Sequence, residues 1–179
     1  KKLLGVDELH MYDLYAPIVK AESSYPYSKG CEFVVEKFNT FSKELGDYAK
    51  KAMDNHWIDV YPREGKVGGA FCDNINCIKE SRFLLNYGNQ FSDVSTMAHE
   101  LGHGYHGDCL NDEYLLNTSY TMPIAETASI FCESIVKKAA LKEASKEEAL
   151  AILENEICDS GQVICDIYSR FLFESKVFE

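Results

Sequence analysis

Three features of the amino-acid sequence predict a mainly α-helical chain with a small antiparallel β-ribbon. Apolar residues recur every three to four positions through most of the length, a stretch rich in Gly and Asn carries two short alternating segments, and helix-start signals precede the later periodic runs. With 179 residues, 46% of them hydrophobic, the chain is long enough to close a core, and it reads as a single domain over 1–179. No internal repeat, low-complexity tract or long linker supplies an internal boundary.

From Ser28 to about Asn55, Phe33, Val34, Phe38, Phe41, Leu45, Tyr48, Ala49 and Ala52 keep the helical period, which predicts one long amphipathic helix. Pro62, Gly65, Gly68 and Gly69 interrupt it. Two short strands follow, roughly Val67 to Cys72 and Arg82 to Tyr87, with Asp73, Asn74 and Asn76 as the turn between them. A helix is then expected from about Ser92 to Gly107, capped by Ser92 or Asp93 and burying Val94, Met97, Leu101 and Tyr105. Residues Gly107 to Met122 read as irregular, and Pro123 opens a helix reaching about Leu141. Ser145 and Glu148 have the spacing of a capping box, and Ile152, Leu153, Ile157, Ile164, Ile167, Tyr168 and Phe171 carry the last helix, which Gly161 is expected to bend.

Charge and composition narrow the function. Lys and Arg total 18 against 29 Asp and Glu, a net charge of -11, so the average surface repels a nucleic-acid backbone. No apolar run of about 18 residues is present to cross a membrane, and Asp7 and Glu8 interrupt the N-terminus too early for a signal peptide. The seven cysteines are odd in number and form no Cys-x-x-Cys pair, which predicts reduced thiols and a cytoplasmic setting. The chain begins without Met and ends on an apolar helical stretch, so it is expected to be a piece of something longer.

The sharpest signal is His99-Glu100-Leu101-Gly102-His103, an HExxH pattern inside a segment that is independently predicted to be helical. Positions four apart lie about 40° apart around a helix and one turn along it, so both imidazoles can converge on one cation. Glu100 points to one side of that pair, where a carboxylate reaches a water at the cation without being consumed as a ligand and can act as general base. The alternative is a chance match in an ordinary helix.

A tetrahedral catalytic zinc needs a third protein ligand. Glu126, in the first turn of the Pro123 helix, reaches the cation if that helix packs beside the first; otherwise it is a surface acid favoured by the helix dipole. Glu113 is a weaker rival in the irregular segment. Glu133, two turns after Glu126, supports a ligand, touches substrate, or faces solvent. His106 lies roughly 10.5 Å along the axis from His99, too far for easy shared ligation, and is assigned to ligand support, substrate contact or plain polar packing. The Met-turn zinc peptidases are excluded, since Cys109 stands where their third His belongs and His106 where they need Gly. Gly102 and Gly104 weaken the helix by about 1 kcal/mol each relative to Ala, which predicts close approach of another backbone. Cys109 and Cys132 could bind a soft metal or be inert core thiols, and His10 and His56 have no partner spacing.

Together these residues resemble the catalytic core of the oligoendopeptidase F branch of the thimet-oligopeptidase-like zinc peptidases. The likeness runs through His10-Met11-Tyr12-Asp13-Leu14-Tyr15, Gly65 to Cys72, Phe83 to Tyr87 with Asp93-Val94, His99 to His106, Ile124 to Ser129, and Glu133. The resemblance implies a zincin-like helical core around a deep channel that admits short unstructured peptides. It implies one zinc ion held by His99, His103 and Glu126, with Glu100 as base and later proton donor to the leaving amine. It also implies that Gly68, Gly69 and Ala70 lie along the channel as an edge strand able to pair with an extended peptide; otherwise those glycines form an ordinary turn.

The expected activity is therefore zinc-dependent endopeptidase cleavage of short peptides, with no nucleic-acid or membrane partner. The family's pattern continues past the last helix with His and Tyr residues that bind substrate and stabilise the oxyanion, and this sequence stops before them. Such donors are worth about 3 to 4 kcal/mol each in rate, so a non-catalytic zinc-stabilised module is the first alternative. A related exopeptidase with the same ligands is the second.

Overall fold

Helix α1 (Tyr27–Phe41) and helix α2 (Lys43–Asp54) replace the single long helix expected from Ser28 to Asn55. Ser42 breaks the path with an extended backbone, φ -148° and ψ 147°, and its hydroxyl accepts the Leu45 N–H at 3.0 Å. The apolar period runs through the break because both helices bury residues in the same core, Val34 and Phe38 from one, Leu45, Tyr48 and Ala49 from the other. A Ser cap inside a continuous stripe is therefore invisible to periodicity alone.

The computed structural model describes residues 2, 5–10, 12, 13 and 24–179. Of the stretch from His10 to Tyr15 that carries part of the family resemblance, Met11, Leu14 and Tyr15 lie outside the described residues. The chain divides into two compact units, Ser23–Glu143 and Lys1–Glu22 with Ala144–Glu179.

In the larger unit a three-stranded sheet follows α2. Strand β1 (Ile58–Asp59) is parallel to β3 (Glu80–Leu84), and β2 (Phe71–Ile75) is antiparallel to β3, giving the order β1-β3-β2. The antiparallel ribbon was expected, but its strands and turn sit elsewhere. Asp73 and Asn74 lie within β2 opposite Arg82 and Ser81, and the turn falls at Asn76–Lys79 with Lys79 at φ 52°. The turn chemistry of Asn74 is overridden because its side chain is engaged: Oδ1 accepts from Ser81 Oγ at 2.7 Å, and Nδ2 donates to His103 O at 3.4 Å. Two residues are too few to show a period, so β1 had no signal in the sequence.

Helix α3 (Phe91–Cys109) is capped two to three residues earlier than the expected Ser92 or Asp93. Gln90 is the N-cap, and Asp93, inside the first turn, closes it by accepting Gln90 N at 2.7 Å and Gly88 N at 2.9 Å. Val94, Met97 and Leu101 are buried as expected, with Tyr105 partly so. Helix α4 (Met122–Glu143) starts one residue before Pro123 and packs its face of Ala125, Ser129, Cys132, Val136 and Ala140 inward. Lys37 of α1, 5% exposed, ties down the end of α4 through an ion pair with Glu143 at 2.5 Å.

In the smaller unit α5 (Lys146–Gly161) opens on the expected capping box, Ser145 N donating to Glu148 Oε2 at 2.9 Å and Glu148 N to Ser145 Oγ at 3.3 Å. Gly161 itself is regular helix. The helix widens just after it into a π turn over Gln162–Asp166 before α6 (Ile167–Phe178) continues. Among the described residues of this unit only Ile152 is buried. No described helix is long and apolar enough to cross a membrane.

Candidate metal centre

The site is made by two helices that nearly touch. Gly102 sits at their crossing: a Cβ built there would lie 2.9 Å from Ser129 Cα and 3.0 Å from both Ala128 O and Cys132 Cβ. That is the close backbone approach expected of Gly102. Gly104 differs, because a Cβ there would meet the side chains of Tyr48 and Phe83, not a backbone, so this glycine seats the helix on α2 and β3.

One turn of α3 places His99 and His103 with Nε2 atoms 3.1 Å apart and ring planes at 81°. From the first turns of α4, Glu126 Oε2 comes 3.2 Å from His99 Nε2 and 3.6 Å from His103 Nε2. These three residues are the one group among the described residues whose donor atoms are gathered as for a metal ion. Two imidazole nitrogens and a carboxylate oxygen at these separations match the roughly 3.3 Å expected between neighbouring ligands about 2.0–2.1 Å from a tetrahedral cation. The donor set fits a small divalent ion that keeps a fourth position open.

Around that triangle stands a layer of supporting groups. Glu133 Oε1 meets His99 Nδ1 at 2.5 Å, while its Oε2 takes Lys137 Nζ at 2.8 Å and Ser95 Oγ at 3.3 Å. Fully buried Ser129 donates towards Glu126 Oε2 at 2.9 Å and Glu126 O at 3.0 Å. On the other side of α3, Asn74 holds the His103 carbonyl, and its own side chain fills the space beside Gly107. Of the residues expected to act at the site, Glu133, left open between three roles by the sequence, therefore lies against His99, one of the three gathered donors. Ser95, Ser129, Lys137 and Asn74 were not singled out. Ser129 could have been, since a polar residue interrupts the small apolar face of α4 there.

The electrostatics follow from burial and crowded acids. Glu100 is buried, and burial raises its carboxyl to about 7; the His99 charge opposes this, while Glu126 and Glu133 add to it. Burial pulls His99 down, but the hydrogen bond and charge of Glu133, with Glu100 and Glu126, leave it raised. His103 is lowered by burial first and then by the His99 charge. Burial pushes Glu133 up, yet its bonds to His99 and Lys137 hold it below the ordinary range.

His106 is not among the gathered donors. Its ring stacks on Tyr120 with centroids 4.2 Å apart, and its buried Nδ1 has no hydrogen-bond partner among the described residues. Gly68, Gly69 and Ala70 run directly into β2, one of the two outer strands of the described sheet, and Asn86 Nδ2 pins this approach by donating to Val67 O and Gly69 O, both at 2.9 Å. Gly69 and Ala70 border a cavity of about 190 Å³ with Leu85, Asn86, Asp93 and Thr96. Glu113 stays in the irregular segment outside the donor group, and Cys132 is a buried thiol pushed up to about 12 by desolvation, as a core cysteine should be.

Comparison with known proteins identifies the family and the fold. A family model, Peptidase family M3, matches residues 1–163. The chromosomal oligoendopeptidase F of Lactococcus lactis subsp. cremoris is 32% identical over the whole of this chain, and the oligopeptidase PepF of Bacillus subtilis is 28% identical over 89% of it. The chain spans 30% and 24% of those two relatives. A crystal structure of a Chlamydophila abortus protein assigned as a peptidase superposes with a TM-score of 0.76 at 27% identity, covering 97% of this chain and 29% of that one. The structure of PZ peptidase A with an inhibitor shares the fold at a TM-score of 0.72 and 21% identity, over 88% of this chain and 28% of its own. On the match across nine-tenths of its length, the chain belongs to peptidase family M3.

Proposed function

We propose that this chain is the catalytic segment of a zinc-dependent endopeptidase that hydrolyses short, unstructured oligopeptides. The observation that carries the reading is the convergence of His99, His103 and Glu126 from two helices, with buried Glu100 following His99 on α3. His99 Nε2, His103 Nε2 and Glu126 Oε2 would hold one zinc ion. When bound, zinc supplies Lewis-acid polarisation of the scissile carbonyl and makes a nearby water more acidic.

Glu100 does the proton transfer. Its carboxylate takes a proton from the attacking water as oxygen adds to the carbonyl carbon, and returns that proton to the amide nitrogen as the C–N bond breaks. A carboxyl with a pKa near 7 suits both directions at neutral pH. The substrate backbone would lie against Gly68, Gly69, Ala70 and β2, whose outer edge can pair with an extended strand, and Asn86 holds that approach in shape. His106 would contact substrate or steady this wall through its stack on Tyr120. Seven free thiols suit a cytoplasmic enzyme.

The test uses the protein that carries this chain, loaded with zinc and offered a quenched peptide blocked at both ends. Internal cleavage abolished by the chelator and by Glu100→Gln, with zinc content unchanged in the variant, is the expected result. Zinc retention without cleavage would favour a non-catalytic module, and cleavage confined to peptides with free termini would favour an exopeptidase.

A further inference from the structure

Glu133 uses its two oxygens for two different purposes. Oε1 faces His99 Nδ1, and Oε2 receives the Lys137 ammonium at 2.8 Å and Ser95 Oγ at 3.3 Å. Glu133 and Lys137 stand one turn apart on α4 in the favourable acid-before-base order, and both side chains are mostly enclosed, at 19% and 15% exposure. An enclosed pair of this kind holds a far better defined geometry than the solvated i,i+4 pairs on α2, Lys43 with Asp47 and Lys50 with Asp54.

We propose that Lys137 is a positioning residue for the metal centre: it holds Glu133 in the one orientation that accepts the His99 Nδ1–H and so aims the His99 Nε2 lone pair at the cation. This rests on the metal-site reading above. An imidazole carries one proton in its neutral form, so a fixed acceptor at Nδ1 places the proton there and frees Nε2 to coordinate. Without Lys137 the Glu133 carboxylate loses its anchor at Oε2, with only the longer Ser95 contact to hold it, and His99 can turn or take its other tautomer.

The sign of the effect separates this role from simple charge. A cation near a metal site repels the metal, so on Coulomb grounds alone removing Lys137 should tighten zinc binding. The positioning role predicts the reverse.

Zinc affinity, read by competition with a fluorescent chelator in the protein that carries this chain, decides the matter. Lys137→Met is expected to weaken binding by about tenfold, the lower end for loss of a group that orients a ligand. Lys137→Arg restores most of the affinity, which a folding defect at this position would not allow. In a Glu133→Gln background, Lys137→Met changes the affinity by less than about twofold, because the group it acts through has lost its charge. Wild-type or tighter binding by Lys137→Met, or an equal loss in the Glu133→Gln background, overturns the proposal and leaves the metal centre standing. Absence of zinc binding by the wild-type protein overturns the metal centre itself, and the proposal with it.

Discussion

Helices α3 and α4 and helices α5 and α6 are about equally apolar and were both foreseen as helices, yet they use their side chains in opposite ways. At the α3–α4 crossing small residues meet, Gly102 against Ala128, Ser129 and Cys132, and the backbones come close enough for imidazoles on one rod to reach a carboxylate on the other. On α5 and α6 the large apolar side chains, Ile157, Ile164, Phe171 and Phe173 among them, are exposed, and among the described residues of that unit only Ile152 is buried. Apolar period predicts that a helix forms. Small residues at the contact, with Glu126 held by Ser129 and Glu133 by Lys137, are what turn a helix pair into a site.

The comparison can be broken most forcefully at Glu100. Replacing it by Gln should lower peptide hydrolysis by about 10²- to 10⁴-fold, the range for loss of a general acid–base group, while the same acid-to-amide change at exposed Glu174 of α6 leaves the rate unchanged. Steady-state cleavage of a quenched peptide checks both. A Glu126→Ala variant, which removes one donor of three, should lose zinc by more than about a hundredfold in affinity, measured as metal content after dialysis. Equal retention would move the third ligand elsewhere.

The metal-free protein supplies a pH test of the enclosed acids. Glu100 titrates near 7 when folded against an ordinary 4.5, so the folded state favours its protonated form. Its contribution to stability is complete below about pH 4.5 and falls away as pH rises through about 7. Denaturant unfolding across that window should show a smaller loss in Glu100→Gln, which keeps the His99 contribution, than in the wild type.

A single substitution made in both regions sharpens the comparison further. Gly102→Ala gains about 1 kcal/mol of helix propensity but must push α3 and α4 apart, for a net loss of about 1–2 kcal/mol and weaker zinc binding. Gly161→Ala, at a helical φ with nothing within 4 Å of the new methyl, should instead stabilise by about 0.5–1 kcal/mol. Thermal unfolding of the two variants distinguishes them by sign.

What the sequence made legible divides along the same physical line. The pairing of His99 with His103 was legible because a helix sets residues four apart on one side, and Glu126 stood ahead of Glu113 as a candidate third donor; the packing of α4 on α3 gathers it with the two rings. Features that depend on tertiary contact were harder. Ser42 splits α1 from α2 without disturbing the apolar period, and β1 exists because Phe83 N and Leu85 N find the carbonyls of Trp57 and Asp59 at 2.9 and 2.8 Å. Asn74 looks like a turn residue until Ser81 and the His103 carbonyl occupy its amide. In the sequence Glu133 stays open between ligand support, substrate contact and a solvated face, and nothing marks Lys137; only the packing of α4 against α3 encloses the two beside His99.

The central claim is that His99, His103 and Glu126 bind one cation between α3 and α4. Crystals of the zinc-loaded protein, measured on both sides of the zinc absorption edge, test it most directly. The account predicts one anomalous peak about 2.0–2.2 Å from His99 Nε2, His103 Nε2 and a Glu126 oxygen. A peak held by other residues, with Glu126 turned away from both rings, would contradict it.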